Sequence, residues 1–151
     1  MKKNTKGGFT LIEILIVIGI IAILAAIVLV AVNPARQFSK ANNTQRSSNT
    51  TELLSAVGQY IIDQKGATST LALTVGAPMN IKKTGGYDLC SKLLPTYMPS
   101  FPQDPKTNGG ANITDCASAY DTGYTINIDS NDRITIAAPN AEIGATIAVT
   151  R

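Results

Sequence analysis

Residues 8–32 read GFTLIEILIVIGIIAILAAIVLVAV, and the rest of the chain is organised around this stretch. From Phe9 to Val32, only Thr10, Glu13 and Gly19 interrupt an otherwise apolar run. As an α-helix the run spans about 36 Å, against a hydrocarbon core of roughly 30 Å, so it can cross a bilayer with some tilt. A secretory signal peptide has a shorter apolar region followed by a small-residue cleavage site, and nothing of that kind follows Val32. The small-residue pair with a cationic flank, Gly7-Gly8, comes before the run, after Lys2, Lys3 and Lys6. Those cations hold the N-terminus in the cytoplasm and send the remainder outward.

Charge and composition narrow the function classes. Lysine and arginine number 13 against 10 aspartates and glutamates, and three of the cations lie in the first eight residues. Without them the balance is zero, so the basic character belongs to the leader and no nucleic-acid partner is expected. The chain has no histidine, which excludes imidazole-dependent zinc sites and Ser-His-Asp or Cys-His nucleophile systems. No nucleophile with a base and no phosphate loop can be assembled, so catalysis is not expected. Glu13 stands out because a carboxylate inside an apolar helix is unfavourable by a few kcal/mol and usually marks a partner or a functional site, the alternative being that it lies near the interface and reaches water.

The order of parts, a basic leader ending Lys6-Gly7-Gly8 and then Phe9-Thr10-Leu11-Ile12-Glu13 opening an apolar helix, resembles the type IV prepilin family. The resemblance implies cleavage by a membrane peptidase after Gly8 and methylation of the new N-terminal residue, Phe9. It also implies that Glu13 pairs with the N-terminal amine of a neighbouring subunit during filament assembly. Pairing within one chain is awkward across the four residues from Phe9 to Glu13, whereas a neighbouring helix displaced axially by about 6 Å could offer its amine. The architecture implied is α+β and pilin-like: a long N-terminal helix, half membrane-spanning and half amphipathic, packed on a small antiparallel sheet.

Residues 1–8 are thus expected to be a cleaved leader, 9–32 a transmembrane and assembly helix, 33–64 its amphipathic continuation, and 65–151 an extracytoplasmic head. At Asn33-Pro34 the helix is expected to kink or restart, with Asn33 as a cap and Pro34 at the first helical position. Phe38, Ala41, Leu53, Leu54, Val57, Tyr60 and Ile61 then predict one helix face reaching about Gln64, although the Asn-, Ser- and Thr-rich stretch 42–51 has mediocre helix propensity. Alternating Leu71, Leu73 and Val75 suggest a short strand. Leu89, Leu93, Leu94 and Tyr97 suggest core-packed helix, and four prolines from Pro95 to Pro105 an extended connection. Alternation through Tyr124–Ile128, Ile134–Ile136 and Ile147–Val149 predicts an antiparallel meander that seats the Leu53 to Ile61 stripe.

Within the head, Tyr97-Met98-Pro99 and Pro102-Gln103-Asp104-Pro105 before a Tyr124 strand resemble the pseudopilins of type II secretion, with Lys106-Thr107 where that family usually has Trp-Gly. Cys90 and Cys116 fall outside the cytoplasm in this topology. A bridge between them would contribute about 3.5 kcal/mol in the chain-entropy model, and free buried thiols are the alternative. Asp129, Asn131 and Asp132 offer oxygen ligands for calcium, but they lack the spacing and distal glutamate of a calcium loop and are ordinary turn residues. No other cofactor is expected. Lys82-Lys83 reads as a solvated surface pair.

These features point to a structural subunit of a type IV pilus or of a type II secretion or competence pseudopilus. Its expected partners are copies of itself, other pilins, the prepilin peptidase, an inner-membrane assembly platform and, before assembly, the lipid bilayer. It would begin as a single-pass protein of the cytoplasmic membrane and end in an extracytoplasmic or cell-surface filament. The alternative is a membrane-anchored extracytoplasmic binding module that stays monomeric.

Overall fold

The computed structural model describes residues 7–151, so the leader cations Lys2, Lys3 and Lys6 lie outside the described residues. The chain divides into two compact units, one ending at Phe38 and the other running from Ser39 to Arg151. The first contains α1, Leu11–Val32. Asn33 stops it with φ 44° and ψ 83°, a left-handed conformation that asparagine tolerates better than most side chains. Pro34 then opens α2, Pro34–Asp63, and Asn33 Oδ1 accepts a hydrogen bond from the Arg36 amide at 3.2 Å. Asn33 ends one helix and caps the next, as the Asn-Pro pair leads one to expect.

In the second unit, α2 packs through a single stripe. Ser39, Asn42, Asn43, Arg46, Asn49, Thr50, Leu53, Leu54 and Val57 recur three or four residues apart, and those from Arg46 onward are buried. The stripe changes chemistry along its length. Its C-terminal half is the expected apolar face, whereas its N-terminal half is made of amides, hydroxyls and a guanidinium. The expected amphipathic pattern is therefore confined to the C-terminal half, and Phe38, which the apolar spacing assigns to the packed face, is 71% exposed.

The sheet runs β1 (Met79–Lys82), β2 (Asp121–Ile128), β3 (Ile134–Ala137) and β4 (Ala148–Thr150), each antiparallel to the next in chain order. Ile126 lies opposite Ile136, which lies opposite Val149, so the late meander has the register that its alternation predicts. Tyr124, Ile126, Ile128, Ile134 and Ile136 form one core with Leu53, Leu54 and Val57 of α2. The first strand departs from expectation. Leu71 closes a 3-10 turn, Thr68–Leu71, and Val75 makes only an isolated bridge to Ile128. Left-handed Ala72 and Gly76 bend the chain there, and the strand forms after Pro78 instead. The Leu89 to Met98 segment is also less helical than its spacing implies. Only Cys90–Leu93, named α3, completes a turn before Leu94-Pro95, though Leu89 and Leu93 are core residues as expected and Leu94 and Tyr97 pack partly buried against the core.

The polar half of the stripe is held by a buried ion pair. Arg46 and Asp104 side chains are both fully buried, and the guanidinium grips the carboxylate at two points, Nε to Oδ2 at 2.7 Å and Nη2 to Oδ1 at 3.0 Å. Arg46 Nη1 also donates to Asn43 Oδ1 and to Glu142 Oε2, at 2.9 and 2.8 Å. Hydrogen bonding to Asp104 above all, and to Glu142, holds the guanidinium more firmly protonated despite its burial. Glu142 lies in the loop between β3 and β4, and Lys106, then Arg46 and Asn42, hold its carboxyl well below the usual range. Close packing requires glycine opposite this node. Gly123 of β2 has φ 75°, and a Cβ there would stand 2.8 Å from Asp104 Cβ.

Removing one partner of a buried ion pair leaves an uncompensated charge. Arg46→Met is therefore expected to destabilise the second unit by about 3–5 kcal/mol. The double variant Arg46→Met/Asp104→Asn should lose less than the sum of the single changes, as measured by guanidinium unfolding of the detergent-solubilised chain followed by near-UV circular dichroism.

A second network gives an acid signature. Burial would raise the Asp88 carboxyl, but hydrogen bonds from Lys83, Ser91 and Tyr120 outweigh it and lower the pKa to about 2. Because the folded value lies below the unfolded one, this stabilisation is fully present above about pH 4 and is lost as pH falls toward about 2. Asp88→Asn should remove that component, so the stability difference between wild type and variant should shrink across this window in acid titrations.

Candidate processing and assembly site

Gly7 to Thr10 precede the helix as exposed, non-helical backbone. Among the described residues, a Cβ built at Gly7 or Gly8 would meet nothing within 4 Å, so none of them crowds the Gly8-Phe9 peptide. Any demand for glycine there comes from whatever approaches the bond. Phe9 is 84% exposed.

Thr10 is the N-cap of α1, with extended backbone at φ −79° and ψ 153°. Its Oγ1 accepts from the Glu13 amide at 3.2 Å and donates to Glu13 Oε2 at 3.1 Å. Glu13 Oε2 in turn accepts from the Thr10 amide at 3.1 Å. This is a reciprocal capping box, which satisfies amides that the first turn leaves without intrahelical acceptors and sets a carboxylate at the positive end of the helix dipole. Reading Glu13 only as a carboxylate inside an apolar helix does not disclose this capping role. Its signal was present, because Thr10-Leu11-Ile12-Glu13 has the Thr-x-x-Glu spacing. The box holds the carboxylate at the Thr10 amide, the backbone nitrogen next along from Phe9.

From this cap the helix continues for 22 residues with none buried. Among the described residues it is the one helix long and apolar enough to cross a membrane. Residues 3–29 match the family model of the prokaryotic N-terminal methylation motif. The chain carries the type IV prepilin and pseudopilin signature. No curated protein and no solved structure matches it. Its layout, an apolar N-terminal helix followed by a second helix and a four-stranded antiparallel sheet, is α+β and pilin-like.

The remaining residues nominated from sequence lie in the pilin-like second unit. Cys90, buried at the start of α3, and Cys116 are joined as a disulfide with their Cα atoms 5.6 Å apart. Asp129 and Asn131 serve a hairpin turn, where Asp129 Oδ1 accepts from the Asn131 and Arg133 amides and Oδ2 pairs with Arg133 Nε at 2.8 Å. Asp132 has φ 60° and accepts from Thr68 Oγ1. Among the described residues no group of three or more acidic or cysteine side chains is gathered to hold a metal ion. Lys83 pairs with Asp88 at 2.7 Å. In the pseudopilin-like segment Pro102 to Pro105, Asp104 is the partner of Arg46, while the Gln103 carbonyl accepts from Asn49, a linking role that the sequence pattern did not disclose.

The cap can be tested apart from the charge. Thr10→Val is expected to lose about 1 kcal/mol at the helix start, raising hydrogen exchange of the Leu11 to Glu13 amides about fivefold in micelles. Glu13→Gln keeps a side chain that can complete the box and should leave that exchange near the wild-type rate.

Proposed function

We propose that this chain is a structural subunit of a type IV pilus or of a type II secretion or competence pseudopilus. A prepilin peptidase hydrolyses the Gly8-Phe9 bond, releasing residues 1–8 and leaving an amine on Phe9 that is then methylated. Residues 9–32 lie across the cytoplasmic membrane with their N-terminus inside, and the unit from Ser39 onward lies outside, a compartment in which the Cys90–Cys116 bridge persists. Subunits delivered to an inner-membrane assembly platform leave the bilayer and pack through the apolar helix against copies of themselves and other pilins. The single observation that carries this reading is a complete methylation motif running directly into a capped, wholly unburied apolar helix.

Glu13 sets the register in this scheme. The Phe9 amine of a neighbour, placed beside the Glu13 carboxylate in a medium of low dielectric, offsets much of the desolvation cost that either charge alone incurs. Assembly, not catalysis, is the activity.

Mass spectrometry of the chain from native membranes should find Phe9 at the N-terminus carrying one methyl group, and Gly8→Val should block processing. Glu13→Gln should be inserted and cleaved normally yet yield few sheared filaments by electron microscopy, because it retains the cap and loses the charge. An unprocessed chain in membranes that contain the peptidase would leave the monomeric anchored module in front. Wild-type filament yield from Glu13→Gln alone would remove the carboxylate as the register device.

A further inference from the structure

On the second unit, α2 and the loop after Asp104 enclose a cleft of about 450 Å³, within the range of small-ligand sites. Five primary amides line it, those of Asn42, Gln45, Asn49, Gln103 and Asn112, and no charged side chain does. At its rim Gly109 and Gly110 have φ 68° and 72°, so the backbone turns sharply there without a side chain to fill the opening.

The hydrogen bonds fix which end of four of these amides is committed. Asn42 Nδ2 donates to the Glu142 carboxylate at 2.9 Å, Asn49 Nδ2 to the Gln103 carbonyl at 3.0 Å, and Gln103 Nε2 to the Asp121 carbonyl at 2.8 Å. Carboxylates and carbonyls only accept, so in each case the nitrogen must face them. Asn49 Oδ1 is then the acceptor for Gln45 Nε2 at 2.8 Å, and Asn112 Nδ2 donates to Ser100 Oγ at 3.1 Å. The amide oxygens of Asn42, Gln45, Gln103 and Asn112 are left without a partner among the described residues. The cleft is thus rich in acceptors and uncharged.

We infer that this cleft binds a neutral, polyhydroxylated ligand, a saccharide, whose hydroxyls donate to those amide oxygens. A cationic ligand would need an anion in the lining, and the neighbouring carboxylates are already paired, Asp104 with Arg46 and Glu142 with Arg46 and Lys106. A peptide strand would need pockets for its alternate side chains, and the apolar lining is limited to Ala41 and Pro105. Clustered hydroxyls need neither. Sugar C–H faces could rest on Pro105 while neighbouring hydroxyls reach the amides.

The test is saturation-transfer NMR on the full chain in a detergent without a sugar headgroup, with D-galactose, D-mannose, N-acetyl-D-glucosamine and maltose as probes and L-arginine amide as the cationic comparison. At least one sugar should bind with a dissociation constant on the order of 1 mM or tighter, against none for arginine amide. The double variant Gln45→Met/Asn112→Ala changes two exposed residues, should keep the wild-type circular dichroism spectrum, and should weaken that sugar about tenfold or more. Absence of binding by all four sugars, binding unchanged in the folded double variant, or preference for arginine amide each overturns the proposal. None of these outcomes depends on whether the chain polymerises.

Discussion

The grip of Arg46 on Asp104 is the constraint around which the second unit is arranged. Asp104 is fully buried in a proline-flanked segment, and a carboxylate removed from water needs both a counter-charge and filled hydrogen-bond sites. Arg46 supplies both through its planar fork, and the Lys106 amide adds a further donor at 2.9 Å. The same guanidinium reaches Glu142, so a single α2 side chain ties together the loop before β2 and the loop after β3. Neighbouring residues extend the seam. Asn43 exchanges hydrogen bonds with the Glu142 backbone, and Asn49 reaches the Tyr124 hydroxyl on β2. Lysine could not replace Arg46 here, because it cannot meet two carboxylate oxygens and a third acceptor in one plane.

The first unit poses the opposite problem. Its helix has satisfied its polar requirements internally, through i to i−4 hydrogen bonds and the Thr10–Glu13 cap, and what remains is side-chain surface for which water is a poor solvent. A bilayer satisfies it without specificity, since hydrocarbon contacts any face of the helix equally. Specific packing against another helix has to come from shape and from the few polar atoms present, and Glu13 is the only charged one in the span. The methylation motif and the physical chemistry of the helix therefore converge on the same few residues.

Legibility in the sequence followed the kind of interaction. The β2 to β4 meander could be read because alternation in Ile-rich runs is the direct imprint of a one-sided sheet, and the helix break because Asn33-Pro34 restricts the backbone locally. The polar half of the α2 stripe could not. A search for burial by apolar spacing passes over Arg46, Asn49 and Thr50, and the residues that make their burial favourable lie far along the chain, Asp104 by 58 positions and Glu142 by 96. The first strand was misplaced for a related reason, since Leu71, Leu73 and Val75 have strand-like alternation but Ala72 and Gly76 take left-handed conformations that interrupt it. At the candidate site, Gly8, Phe9 and Glu13 were legible as a motif, whereas the capping role of Glu13 needed attention to its spacing from Thr10.

The change of chemistry along α2 has a consequence for how the second unit is specified. An apolar stripe packs against any apolar surface of adequate shape, so Leu53, Leu54 and Val57 favour burial without fixing how far the helix slides along its axis. The polar half removes that freedom. A shift by one turn would take Arg46 from Asp104 and Asn49 from Tyr124 together, leaving several buried groups unsatisfied at once. The apolar half thus supplies most of the driving force and the polar half the axial register. The residues least favourable to helix by propensity, from Asn42 to Thr51, are retained where register matters most, because tertiary hydrogen bonds replace what local preference lacks.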